Sequence, residues 1–404
     1  MIRIGIVGCG RILAAHLRGF RLLREAGIGD FIITALASRD DKDARGYIDR
    51  QGSVPQRRAV SMMAGDPLAI GDEFISDFQD PALVRVYSTY EDLTASRDVD
   101  AVMDLTTHRM HHLVAKSAFD HRKHLLSQKP LAATMRAGRA MLDGNDQAGV
   151  TFGTFECFRF LPQTEALSWL FRTGRGGTLQ MMLYGYIGAW WAPNRIVADT
   201  PWRHQRVEGG GITVDIGVHF FDQMFLLAGL PRRITGRAHI IEPRRFSEKE
   251  TIICDADDTV WASIDFVTGV TAQLSASWAG HGGATTWGSG SVFIGSKAKV
   301  DGDIVTFDDG RVENLLELYR RESGVLPTLP GVDDWFALAQ QDWLQAIRLG
   351  KQPESSATQG LLNLAASLAI LESSVAGQTI EFDEVWTGDR HAYQDPIDRA
   401  LGLR

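Results

Sequence analysis

The sequence predicts an α/β protein in two parts. Residues 1–131 are expected to form a doubly wound parallel sheet. Residues 132–404 are expected to form an α+β domain with a large, mainly antiparallel open sheet. Three observations carry this. The chain opens on an apolar run, residues 2–7, that passes through Gly8 and Gly10 into an apolar-periodic helix. Strand-like and helix-like stretches alternate to about residue 131, whereas from Val150 short strands dominate, with hairpin turns such as Val267-Thr268-Gly269. At 404 residues, the chain is also too long for one comfortable core.

The first element sets the chemistry. Gly8 permits a tight turn after the strand, and Gly10 lets the backbone approach a pyrophosphate that the amides of the next helix would face. Leu13 stands where a third glycine is usual. Gly8, Cys9, Gly10, Arg11 and Ile12 are therefore candidate dinucleotide contacts, and the domain reads as a Rossmann NAD(P)-binding domain. The second strand, 31–37, ends in Ser38-Arg39-Asp40. An acid here would bind a ribose 2′-hydroxyl, and a guanidinium a 2′-phosphate. Ser38 takes the acid's place and Arg39 follows, which favours NADP; Asp40 keeps NAD as the alternative. Residues 102–105 read as the strand at the topological switch point, which puts Leu105, Thr106 and Thr107 at the ligand-binding edge. The next strand, 124–126, runs into Ser127-Gln128-Lys129-Pro130 and delivers Gln128 and Lys129 to that edge, with Pro130 restraining the backbone.

Residues 136–148 read as a helix linking the domains. Strands are expected at 150–155, 178–186, 234–241, 259–266, 270–278, 291–294 and 304–307, and helices at 162–172, 215–227, 333–349 and 357–376. Gly209-Gly210-Gly211 precedes Asp215 and His219. Four residues apart on a helix, these two share a face, a carboxylate beside an imidazole able to exchange a proton near neutral pH. Trp190, Trp191 and Trp202 lie before the glycines and offer flat apolar faces suited to a pyranose or cyclitol ring. Arg159, Arg195 and Arg203 offer contacts to hydroxyls, a carboxylate or cofactor phosphates, with Glu156 and His281 as weaker candidates. His108, His111 and His112 invite a metal, but no cysteine or acidic cluster completes a site, and none is expected.

In order and spacing these pieces resemble the Gfo/Idh/MocA oxidoreductases, the family of glucose–fructose oxidoreductase and inositol dehydrogenase. The resemblance rests on Gly8-Cys9-Gly10 with Ala15-His16, on the segment from Thr106 to His111, and on Gln128-Lys129-Pro130. It continues through Arg159-Phe160-Leu161-Pro162, then Trp202-Arg203 ahead of the three glycines with Asp215, Gly217, His219 and Asp222. Leu13, Thr107, Gln128 and Ala298 depart from the family pattern. The resemblance implies an NAD(P)-dependent dehydrogenase or reductase acting on a sugar, polyol or keto-sugar. His219 would exchange the hydroxyl proton, Lys129 would stabilise the same oxygen, and Asp215 would orient the ring or hold a neighbouring hydroxyl. It places His111 and Arg203 among the cofactor contacts with Gln128 and Lys129. Substrate contacts fall to Lys129, Arg159, Trp190, Trp191, Trp202, Asp215 and His219. Lys129 and His219 lie in different domains, so the active site is expected in the cleft between them. Two alternatives stay open: a tightly held nicotinamide serving a glycosidase or sugar–sugar oxidoreductase, and a non-enzymatic nucleotide sensor. The resemblance also implies a homo-dimer or homo-tetramer paired through the C-terminal sheet, and marks the stretch near 50–80 as an insertion.

Composition bounds the rest. A net charge of −8, a pI near 5.8 and the lack of a basic run argue against a nucleic acid as partner. Three cysteines, Cys9, Cys157 and Cys254, are too few for a disulfide framework or a Cys-x-x-Cys metal site. With no apolar run of membrane-spanning length and no signal-like segment, a cytoplasmic protein is expected.

Overall fold

The structure, a computed structural model, describes residues 1–51, 69–187, 194–282, 289–325 and 329–403. The chain divides into two compact units. The first comprises Met1–Leu131, Gly138–Cys157 and Pro327–Gly360; the second comprises Ala132–Ala137, Phe158–Leu326 and Leu361–Arg404. A single cut at 131 therefore misses two returns of the chain to the first unit.

In the first unit, β1 (Ile2–Val7), β2 (Phe31–Ala37), β3 (Arg85–Tyr87), β4 (Ala101–Asp104), β5 (His124–Gln128) and β6 (Phe152–Phe155) form a sheet ordered β3-β2-β1-β4-β5-β6. Every pairing is parallel. The connections carry α1 (Leu13–Glu25), α2 (Asp41–Arg45), α3 (Tyr90–Ala95), α4 (His111–Asp120) and α5 (Met135–Ala148). Strands β4 and β6 are buried at every residue, as in a parallel sheet covered on both faces. The strand order reverses between β1 and β4, which opens a crevice at their carboxyl ends.

Residues 150–155, expected to open the second sheet, instead supply β6, pairing Leu125 with Phe152 and Gln128 with Phe155. A short, wholly buried strand carries the same apolar run beside a parallel or an antiparallel neighbour, so its residues do not name the partner. The far edge of β6 is closed from much later in the chain: the Phe152 amide donates to Gln352 Oε1 (2.8 Å) and the Thr154 amide to the Ser355 carbonyl (2.9 Å). The helix Trp335–Leu349 crosses α1 at Gly19, where an added Cβ would sit 3.1 Å from the Ala337 nitrogen and collide with the Gln340 amide. A side chain there would push the two helices apart.

The second unit continues the numbering with α6 (Pro162–Arg172), β7 (Leu179–Ile187), α7 (Ile212–Asp215), α8 (Gly217–Ala228) and β8 (Pro231–His239). A separate hairpin of β9 (Arg244–Phe246) and β10 (Thr251–Ile253) follows, then β11 (Thr259–Phe266), β12 (Thr271–Ser277), β13 (Ser289–Gly295), β14 (Ala298–Asp301), β15 (Ile304–Phe307) and β16 (Val312–Asn314). The remaining helices are α9 (Leu315–Glu322), α10 (Trp335–Leu349, in the first unit), α11 (Ala357–Ala376), α12 (Phe382–Thr387) and α13 (Asp395–Leu401); the strand β17 (Ile380–Glu381) precedes α12. Nine strands form one sheet, β16-β15-β14-β13-β7-β12-β11-β8-β17. Only β12 and β7 run parallel; the other pairs are antiparallel.

One face of this sheet is core. Val260, Ala262 and Ile264 of β11 are buried, while Trp261 between them is 45% exposed on the other face. From Leu361 onward α11 packs on the buried side. At Gly236 of β8 an added Cβ would stand 2.6 Å from Ile370 Cγ2, and the Gly236 and Ala238 amides donate to Ser373 and Ser374 Oγ. By length and composition α11 could cross a membrane, but 72% of its apolar stretch is buried inside the fold, as suits a core helix. The helix expected at 215–227 is broken: α7 ends at Asp215, α8 begins at Gly217, and the segment Arg206–Asp215, itself interrupted at the glycines, meets α8 at 47°. Gly217 lies against Ser367 of α11, where an added Cβ would come within 3.1 Å of Oγ, so a small residue suits this close approach.

Candidate active site

The loop after β1 has the form of a phosphate cradle. Gly8 has φ +95°, and an added Cβ would lie 2.7 Å from the Leu105 carbonyl oxygen, so only glycine lets the β1 and β4 loops meet. Gly10 is different. It is exposed, and a Cβ there would meet nothing within 4 Å. The protein's own packing does not demand glycine at that point. The first turn of α1 has no acidic side chain and no side-chain cap; its Leu13 and Ala15 amides donate to the Gly10 and Ile12 carbonyls (both 3.1 Å). Arg11 is exposed beside them and Ile12 half-buried. Cys9 turns inward, its Sγ 3.7 Å from the Ala37 carbonyl, and Leu13 is fully buried in place of a glycine. Tyr47, which no sequence signal marked, donates from its hydroxyl to the Gly10 carbonyl (2.7 Å). These residues fit a dinucleotide.

At the end of β2, Ser38 is half-buried and Arg39 exposed. Asp40 caps α2, accepting from the Lys42 amide at 2.9 Å. Its carboxylate therefore already has work in the local fold. The middle of the expected insertion, 52–68, lies outside the described residues. Its ends are tied together: the Ile75 amide donates to the Tyr47 carbonyl (2.9 Å), and Arg50 pairs with Asp77 (Nε to Oδ1 2.8 Å).

After β4, buried Asp104 holds the loop by accepting from the Thr106 amide (2.9 Å) and hydroxyl (2.6 Å). Leu105 is buried, while Thr106 and Thr107 are half-buried. His111 has a structural place. It is fully buried, with Nδ1 3.0 Å from the Pro130 carbonyl and Nε2 3.3 Å from the Thr106 carbonyl, so its ring ties the β4 and β5 loops together. Both ring nitrogens face backbone carbonyls, and a neutral ring can donate to only one of them. Gln128, expected at the cofactor, bonds His16 through Nε2 (3.0 Å) and the Lys129 amide through Oε1 (2.9 Å). Lys129 itself is half-buried at the carboxyl end of β5 and joined to Pro130 by a cis peptide.

In the second unit the glycine run is sterically required. A Cβ on Gly210 would stand 2.7 Å from the Trp202 carbonyl oxygen, and one on Gly211, at φ +113°, would collide with Asp257 Oδ1. Asp257 is the other half of this junction: it accepts from the Thr213 amide (3.0 Å) and hydroxyl (2.6 Å) and so caps α7. Burial pushes its carboxyl up to about 6, against the pull of those bonds. The acidic run from Asp255 to Asp258 was the only sequence signal for it.

Asp215, 4% exposed, accepts from Arg203 Nε at 3.1 Å. Arg203 also donates to Thr200 Oγ1 (2.7 Å) and lies over the Trp202 ring, 4.3 Å from its centroid. Arg203, assigned to the cofactor from sequence, is thus a partner of Asp215, and Trp202 has one face covered by a cation. The loop leading there holds Ala198 and Asp199 at φ 53° and 51°, left-handed conformations that cost roughly 1–3 kcal/mol each. His219 is 9% exposed and stacked on Phe158, ring centroids 4.5 Å apart and planes at 15°. Phe158 was missed in the sequence because nothing distinguishes one core aromatic from another. Arg159, expected at the substrate, is 7% exposed at its side chain and forms a two-pronged pair with Asp222, Nε to Oδ2 3.0 Å, which Asn363 completes (3.0 Å). That pair anchors the segment around Phe158 to α8. Glu156 is buried and His281 is exposed, 3.3 Å from Glu242. Trp190 and Trp191 lie outside the described residues.

Residues 68–155 match a family profile described as "Oxidoreductase family, NAD-binding Rossmann fold", and residues 164–301 match the GFO/IDH/MocA C-terminal domain. Together these matches cover more than half the chain.

The chain belongs to the Gfo/Idh/MocA family.

As a member of this family it is an NAD-binding oxidoreductase. It is 27% identical over 301 residues to the 1,5-anhydro-D-fructose reductase of Ensifer adhaerens, covering 73% of this chain and 84% of that protein. The D-xylose dehydrogenase of Paenarthrobacter nicotinovorans is 22% identical over 372 residues, 85% of this chain and 92% of the relative. The fold is that of levoglucosan dehydrogenase, solved in complex with NADH and levoglucosan. The two share a TM-score of 0.74 at 18% identity over 94% of this chain and 99% of that one.

Proposed function

We propose that this Gfo/Idh/MocA member is an NAD(P)-dependent dehydrogenase or reductase whose substrate is a sugar, polyol or keto-sugar. The observation that carries the reading is His219: a near-buried imidazole held flat by Phe158, on a helix whose approach is shaped by sterically required glycines and flanked by the Asp215–Arg203 pair. The names of its relatives, a reductase and a dehydrogenase of sugars, support the substrate class. When bound, the nicotinamide supplies the hydride acceptor. In the oxidation direction a ring nitrogen of His219 takes the proton of the substrate hydroxyl. Lys129 Nζ donates a hydrogen bond to the same oxygen and stabilises the charge that develops there. Asp215, already oriented by Arg203, holds a neighbouring hydroxyl or the His219 ring. Reduction reverses these steps.

NADP is the preferred cofactor in this reading, because Asp40 is engaged as a helix cap while Ser38 and exposed Arg39 suit a 2′-phosphate. Self-association through the open face of the nine-stranded sheet, which carries Trp261 and Met181, gives a homo-dimer or homo-tetramer.

The test is a panel of D-xylose, levoglucosan, 1,5-anhydro-D-fructose and inositol, each with NADP(H) and NAD(H), followed at the nicotinamide absorbance. Turnover on at least one is expected. Lys129→Ala and His219→Ala should each lower it at least about a hundredfold while NADPH binding persists. Near-normal turnover in both variants would refute the assigned roles.

A further inference from the structure

His16 lies on α1, 112 residues before Gln128, and its side chain is completely buried. Phe155 and Phe336 hold its ring edge-on, with centroids 4.4 and 4.9 Å away. A polar ring in such a place needs a reason. Its Nε2 lies 3.0 Å from Gln128 Nε2, and the other end of that amide, Oε1, accepts the Lys129 backbone N–H at 2.9 Å. Because the backbone N–H can only donate, Oε1 is fixed as the acceptor and Nε2 as the donor, so His16 Nε2 must receive a hydrogen bond. That defines a neutral ring protonated on Nδ1. Burial acts the same way, pushing His16 down to about 3. On the Nδ1 side stands Gln340, whose Nε2 donates to the His16 carbonyl (3.0 Å) and lies 3.3 Å from Nδ1. Turning that amide would bring Oε1, otherwise without a partner, to face the Nδ1–H, at the expense of the bond from Nε2 to the His16 carbonyl.

We propose that His16 and Gln128 are positioning residues for Lys129: the neutral imidazole anchors the Gln128 amide, and the amide fixes the Lys129 backbone and with it the direction in which the ammonium leaves β5. The inference rests on the reading of Lys129 given above. Its chemical requirement is a two-ended neutral link. A glutamate at 128 keeps the acceptor for the Lys129 N–H but offers only lone pairs to His16 Nε2. It therefore forces the ring to move its proton to Nε2 or to gain a second one. It also sets a carboxylate beside the lysine.

The test compares His16→Phe, His16→Gln, Gln128→Glu and Lys129→Ala, using the best substrate of the panel and NADPH affinity as a control for folding. Gln128→Glu and His16→Phe should lower kcat at least about tenfold, with NADPH affinity within about twofold of wild type. Gln128→Glu should also move the alkaline limb of the pH–rate profile to higher pH, which a purely structural role would not do. His16→Gln, whose Oε1 restores an acceptor, should recover most of the kcat lost in His16→Phe. Independently of turnover, nitrogen NMR of histidine-labelled protein near neutral pH should show His16 Nε2 unprotonated in the wild type and protonated in Gln128→Glu. Wild-type kcat and pH profile in Gln128→Glu and His16→Phe, or a protonated Nε2 in the wild type, would overturn the proposal. Near-normal turnover in Lys129→Ala would instead overturn the assigned role of Lys129 itself.

Discussion

Asp257 shows how one buried carboxylate can shape both a site and its stability. It caps α7 just ahead of Asp215, yet burial raises its carboxyl from 3.8 to about 6. Between those values the folded protein holds the proton more tightly than the unfolded chain does. Stability therefore falls as pH rises from about 4 to about 6 and stays lower above, by ~3 kcal/mol for this group. Asp257→Asn keeps an oxygen for the Thr213 amide and removes the titration. Urea denaturation at about pH 4 and about pH 8 should give the variant a smaller pH-dependent loss than the wild type by that amount; equal losses would discard the assignment. At the ribose end, Arg39→Ala should weaken NADPH binding about tenfold or more and leave NADH nearly unchanged, as measured by fluorescence titration. An equal effect on both cofactors would contradict the NADP reading.

Among the elements, α8 carries the proposed catalytic histidine and depends on a pair at its own middle. Asp222 is fully buried with Arg159 and Asn363, and that cluster fixes the segment bearing Phe158 against the His219 face. Asp222→Ala leaves a guanidinium buried without its counter-charge and should cost ~3–5 kcal/mol, read as a lowered denaturation midpoint. A loss under about 1 kcal/mol would mean the pair is solvated and anchors nothing. The elements differ in how readable they were. Residues 162–172 and 357–376 were legible as helices because Pro162 sits at a first helical turn and the apolar positions recur at helical spacing. The shared helical face expected for Asp215 and His219 rested on one continuous helix, and the break at Ile216 puts them on two; the sequence carries no local signal for that break.

For the molecule as a whole, the nine-stranded sheet has one face in the core and one carrying Trp261 (45% exposed) and Met181 (39% exposed). An exposed tryptophan in the middle of a long sheet is the place to test self-association. Trp261→Asp should shift the protein toward monomer in light scattering without lowering its denaturation midpoint by more than about 1 kcal/mol. An unchanged assembly would remove this face from the interface.

Local order determined what the chain announces by itself: strand, glycine loop and helix at the start, a lysine after β5, and Asp215 with His219 behind three glycines. Each is a short-range pattern in which backbone freedom, side-chain period and chemistry lie within a few residues of one another. The assignment of β6 to the parallel sheet, the pairing of Arg159 with Asp222 and of Arg203 with Asp215, and the seating of His16 beside Gln128 were decided only by the tertiary fold. In these cases the deciding partner stands far away in sequence. A buried charge or donor takes whichever partner the packing brings within about 3 Å, because leaving it unpaired costs more than any local preference can return.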